Sequence, residues 1–149
     1  MPFICPPLPC QLHATCVCVD GAGLLIAGQS GSGKSALALQ LMSLGASLVA
    51  DDRCDLADSP EGIIVSRPDT LPEAIEARGL GILSARCAGP TRLSAVLDLD
   101  EVTTDRLPAR STVWIEQHKL PLLANSAASH LPAALLLFLK NGFHGSMLP

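Results

Sequence analysis

Gly23-Leu24-Leu25-Ile26-Ala27-Gly28-Gln29-Ser30-Gly31-Ser32-Gly33-Lys34-Ser35-Ala36-Leu37-Ala38-Leu39 sets a glycine-rich segment between an apolar run and a run of helix formers. Gly28 to Ser35 satisfies G-x-x-x-x-G-K-[ST] at every fixed position. Leu24 to Ala27 is a short apolar run bounded by glycine, which suits a strand buried on both faces. Lys34 to Leu44 carries helix formers throughout, and Gly45 is placed to end that helix. Its apolar residues run nearly all round, which predicts a helix deep in the protein. Strand, glycine-rich loop and helix together form a phosphate site. The glycines let the backbone turn tightly and present N–H groups to phosphate oxygens, Lys34 can reach the β/γ-phosphates, and Ser35 can ligate Mg²⁺. The predicted nucleotide-binding set is Gly28, Ser30, Gly31, Ser32, Gly33, Lys34 and Ser35.

On the N-terminal side of this stretch, Thr15 to Asp20 is rich in β-formers and runs into Gly21-Ala22-Gly23, predicting two adjacent strands joined by a tight glycine turn. After Gly45, Ala46 to Ala50 reads as a short buried strand that delivers Asp51 and Asp52 at its end. Glu61 to Ser66, Leu93 to Leu99 and Thr112 to Glu116 read as further strands, and Pro68 to Pro72 as loop. A terminal helix is predicted over Ala133 to Asn141, opened by Pro132 and stopped by Asn141-Gly142. The fold class expected is α/β, a mixed sheet containing a phosphate loop, with flanking helices.

At 149 residues the chain fits one domain, set here as 12–149. Residues 1–11, broken by four prolines and lacking a charged leader, are expected to be a disordered or loosely packed arm. The composition is 48% hydrophobic and only 3% aromatic, so the core must come from aliphatic residues and bases find few stacking surfaces. With net charge −4 and no Lys/Arg block, a nucleic-acid partner is not expected. No uninterrupted apolar run reaches about 18 residues, so neither is a membrane span. None of the six cysteines forms a C-x-x-C pair, and free thiols in a reducing cytosol are expected. Cys16 and Cys18 fit same-face core positions of a strand.

Phosphoryl transfer needs charge neutralisation, metal ligands and a group that deprotonates the nucleophile. Asp51 and Asp52, at a strand end beside the loop, are candidates for Mg²⁺ ligand and base; a solvated turn is the plainer reading. Neighbours on an extended chain point to opposite sides, which predicts different roles for the two acids. His13 precedes the strand next to the loop strand and suits proton relay, or else lies on the surface. Glu76 to Gly81 puts a carboxylate and a guanidinium beside two glycines, a loop suited to phosphate or to an ordinary ion-paired turn.

Gly28–Ser35, Gly45-Ala46-Ser47-Leu48-Val49-Ala50-Asp51-Asp52 and Ile75-Glu76-Ala77-Arg78-Gly79-Leu80-Gly81-Ile82, with His13 ahead of them, resemble the catalytic domain of HPr kinase/phosphorylase over about residues 12–142. The form resembled is the short one lacking the N-terminal domain, of the kind found in alphaproteobacteria. The resemblance implies a phosphoenolpyruvate carboxykinase-like fold, hexameric assembly, and ATP-dependent phosphorylation of a serine on the phosphocarrier HPr, often with phosphate-driven reversal. It implies that Asp51 or Asp52 takes the serine proton with His13 in support, and that Ser35, Asp51 and Glu76 hold Mg²⁺. The chain departs from the family pattern at Ala36, where an acid usually follows the loop serine, and at Leu120–Ser126, a late loop that carries no basic residue here. The first departure bears on metal affinity, the second on the reverse reaction. A nucleotide sensor without catalysis and a small-molecule kinase of the same fold are the alternatives.

Overall fold

The computed structural model describes residues 3–145. In chain order the elements are β1 (Cys10–Leu12), β2 (Thr15–Val19), β3 (Ala22–Ala27), α1 (Lys34–Ser43), β4 (Ser47–Ala50), β5 (Cys54–Ser59), β6 (Gly62–Ser66), β7 (Ala74–Ala77), β8 (Gly81–Ser84), β9 (Thr91–Val102), β10 (Ser111–Ile115), β11 (His118–Asn125) and α2 (Leu131–Asn141). A mixed sheet runs β1-β5-β6-β9-β3-β2-β4, and β7 and β8 form a separate hairpin. The long β9 organises the sheet. Parallel β3 takes one of its edges, while β6 at its start and parallel β11 further along share the other.

Alternation along the central strands divides the core between two faces. Val17, Val19, Leu24, Ile26, Ala95 and Leu97 point toward the helices, where Leu37, Ala38 and Leu41 of α1 and Leu135 and Leu139 of α2 cover them. Cys16, Cys18, Leu25 and Val96 point the other way, onto Cys54, Leu56, Ile63, Val65 and Ile115. Both helices thus lie on one face of the sheet. The α/β class, with its mixed sheet and phosphate loop, is the one expected.

Four expectations need correction. The arm over residues 3–11 is not loose: Phe3, Cys5, Leu8 and Cys10 pack against the second face, and Cys10–Leu12 pairs antiparallel with β5. Prolines forbid a helix there but not an extended ribbon with apolar side chains to bury. The turn between β2 and β3 is Asp20-Gly21, both with positive φ, one step earlier than the glycine cluster suggested. Helix α1 buries one face only, and Ala36, Gln40 and Ser43 are exposed, because nothing among the described residues covers its outer side. Leu120–Asn125, expected as part of a late loop, lies in β11.

Candidate active site

Strand β3 ends at Ala27 and the loop begins where the chain must turn sharply. Gly28 adopts φ 149°, and a Cβ there would sit 2.6 Å from Ser32 Oγ and 3.2 Å from the Leu99 Cβ, so glycine is required. Gly33, at φ 102°, caps α1 from the left-handed region and delivers Lys34 as the first helical residue. Lys34 is 7% exposed; its Nζ donates to the carbonyls of Gly28 and Gln29, both at 2.9 Å. The Ser32 hydroxyl is buried and has no hydrogen-bond partner among the described residues. An orphaned donor inside a loop of this conformation fits a phosphate ligand.

Strands β2 and β4 are neighbours, which carries Asp51 to the mouth of the loop. Asp51 Oδ1 accepts from Ser35 Oγ at 2.7 Å and from Thr15 Oγ1 at 2.9 Å, and its Oδ2 accepts from the Glu76 backbone N–H at 3.1 Å. Asp52 follows at φ 71°, a left-handed conformation that aspartate tolerates, and the Arg53 N–H closes the turn on the Asp51 carbonyl at 2.8 Å. That turn swings the Asp52 carboxylate away from its neighbour and onto His13 Nε2, 2.8 Å away. The two acids therefore face different partners. Asp52 is 63% exposed, whereas Asp51 is held by three donors.

A cleft of about 530 Å³ runs along the loop to the Asp52–His13 pair; its walls include His13, Thr15, Lys34, Ser35, Asp52 and Arg78. Ala36, Leu39 and Gln40 of α1 line one side, and Glu76–Arg78 at the end of β7 the other. The segment expected as a loop near phosphate is thus a hairpin tip that borders the cleft. Glu76 lines it with an exposed side chain, and its bond to Asp51 runs through the backbone. Among the described residues no three His, Cys, Asp or Glu side chains converge as metal ligands. Ser35 and Asp51 nonetheless suit Mg²⁺, which takes one or two protein oxygens and draws the rest from phosphates and water.

The sequence did not single out Thr15, which is wholly buried beneath Asp51. Nor did it single out Asp98 and Asp100 at the end of β9. Asp100 accepts from the Gln29 N–H at 3.0 and 3.3 Å. An acid closing an apolar strand beside the loop strand was the available signal, the same one that picked out Asp51.

The family model described as HPr Serine kinase C-terminal domain matches residues 8–94, more than half of the chain. This chain belongs to the HPr serine kinase C-terminal domain family. HPr kinase/phosphorylase from Geobacillus sp. (strain WCH70) is 41% identical over 97 residues, covering 60% of this chain and 31% of the relative. The protein of the same name from Bordetella pertussis (strain Tohama I) is 46% identical over 76 residues, covering 50% and 25%. The chain thus spans between a quarter and a third of the length of these curated relatives. In three dimensions it resembles the Hpr(Ser) kinase/phosphatase from Coxiella burnetii, with TM-score 0.74 over 88% of each chain at 24% identity, a likeness of fold. The matched segment of the HPr kinase domain contains His13, the phosphate loop, Asp51, Asp52 and Glu76–Arg78.

No helix among the described residues is long and apolar enough to cross a membrane. All six thiols are free. Burial, with Cys10 alongside, pushes the Cys5 thiol up to about 12, and burial drives Cys16 and Cys54 well above the usual thiol range.

Proposed function

We propose that this domain transfers the γ-phosphoryl group of ATP to a serine of the phosphocarrier protein HPr, with phosphate-driven reversal as a second activity. The observation that carries the reading is the division of labour in one cleft. Ser35 and Asp51 are joined at 2.7 Å on the phosphate side, and the exposed Asp52–His13 pair faces the acceptor side at 2.8 Å. Family membership and the names of the relatives support the same reaction and the same partner.

In this reading the loop N–H groups and Lys34 hold the β- and γ-phosphates, placing the phosphorus at the mouth of the cleft. Asp52 accepts the serine proton as the serine oxygen attacks the γ-phosphorus and the bond to ADP breaks. His13 orients that carboxylate and can pass the proton on. Mg²⁺, when bound, neutralises phosphate charge; Ser35 and Asp51 would hold it, with Glu76 at the edge of the site. Arg78 lies where it can counter charge on the transferred group. The same reading makes the protein a cytoplasmic homo-oligomer, hexameric as the resemblance implies.

The test is Mg-ATP binding by titration calorimetry on the wild type and on Lys34→Ala. Saturable binding that the variant loses is expected. Equal affinity in the two proteins would overturn the phosphate-loop assignment.

A further inference from the structure

The proposed reaction makes no use of the acidic end of β9, yet that end grips the phosphate loop. β9 runs parallel to β3 with Asp98 opposite Ala27, so its next residues lie alongside the start of the loop. Leu99 closes on Gly28, where a Cβ would come within 3.2 Å of it. The Asp100 carboxylate then takes the Gln29 N–H with both oxygens, at 3.0 and 3.3 Å. Asp98, 3% exposed, accepts the Asp100 backbone N–H at 3.0 Å and fixes where that carboxylate starts from. Asn125 Nδ2, donating to the Leu99 carbonyl at 3.3 Å, braces the same part of β9 from β11.

The Gln29 N–H and the Gly28 carbonyl belong to one planar trans peptide and point in opposite directions. Asp100 on the N–H therefore sets the direction of the carbonyl, and that carbonyl accepts from Lys34 Nζ at 2.9 Å. Carboxylate, peptide and ammonium form one line in which each bond polarises the next. The Gln29 carbonyl, also 2.9 Å from Nζ, is the second hold on the same ammonium. We propose that Asp100 is a positioning residue for nucleotide binding, acting through the Gly28–Gln29 peptide on Lys34, with Asp98 as its support. The inference rests on the nucleotide reading of the loop.

The test pairs Mg-ATP affinity with the amide resonance of Gln29 in ¹⁵N-labelled protein, for wild type, Asp100→Ala and Asp100→Asn. Losing a bond to a charged acceptor predicts about tenfold weaker Mg-ATP binding in Asp100→Ala. The Gln29 amide proton should move upfield while the urea midpoint stays close to that of the wild type. Asp100→Asn keeps an acceptor oxygen without the charge and should fall between the two in both readouts. Wild-type affinity in Asp100→Ala, or an unmoved Gln29 resonance in both variants, would overturn the proposal and leave the nucleotide reading standing. A wild type that fails to bind Mg-ATP would overturn both.

Discussion

Asp51→Ala removes one carboxylate that three donors share, and their burial decides the cost. Thr15 is wholly buried beneath Asp51, and its hydroxyl loses that acceptor, at about 1–3 kcal/mol. Ser35 is half-buried and Glu76 exposed; the first adds about 1 kcal/mol and the second, rehydrated, little. The sum is about 2–4 kcal/mol, and at about 2 kcal/mol per molar urea the midpoint falls by about 1–2 M. The assay is urea unfolding followed by circular dichroism, in EDTA and without nucleotide, so that neither metal nor ligand enters. Thr15→Val in the Asp51→Ala background removes the stranded donor as well and should recover about half of the loss, since deleting both partners of a buried bond is far cheaper than deleting one. A midpoint within about 0.3 M of the wild type for Asp51→Ala, or no recovery in the double variant, would refute the claim that Asp51 is the hub of the site.

Gly28→Ala places a Cβ 2.6 Å from Ser32 Oγ at a φ of 149°; it should cost about 1–3 kcal/mol in urea unfolding and weaken Mg-ATP binding measurably in calorimetry. Asp52→Asn should leave Mg-ATP affinity near that of the wild type and lower phosphoryl transfer by about a hundredfold or more in a steady-state assay. Unchanged turnover would remove Asp52 from the reaction and leave Asp51 as the base. Cys16 and Cys54 should resist maleimide in the native protein at pH 8 and react only in urea, read by mass spectrometry, because both are fully buried. Labelling of Cys5 should keep rising with pH beyond the usual thiol range, since its thiolate forms only toward about 12.

The phosphate loop was legible because its chemistry demands fixed residues at fixed spacing, and its strand and helix follow from an apolar run and a run of helix formers. Asp51 and Asp52 were legible as acids at a strand end. That the two face different partners was expected from strand alternation, but it arises from the left-handed turn at Asp52. What alternation could not supply was pairing. Cys54–Ser59, with two aspartates and no long apolar run, gives no strand signal, yet Cys54 and Leu56 are buried and it pairs with both β1 and β6. The family pattern put a late loop at Leu120–Ser126, yet Leu120–Asn125 lies in β11 despite Pro121. The parallel ladder to β9 begins only at Leu122, so the missing N–H falls outside that ladder. Thr15 looked like any β-former and became part of the site only because β4 brings Asp51 over it. Asp98 and Asp100 were lost inside a strand whose apolar alternation drew attention from its acidic end.

Transfer of labelled γ-phosphate from Mg-ATP to purified HPr of the same organism decides whether this domain is an HPr kinase, with Lys34→Ala as control. Label should appear on an HPr serine and be absent in the control. No label on HPr from a protein that binds Mg-ATP would contradict that reading.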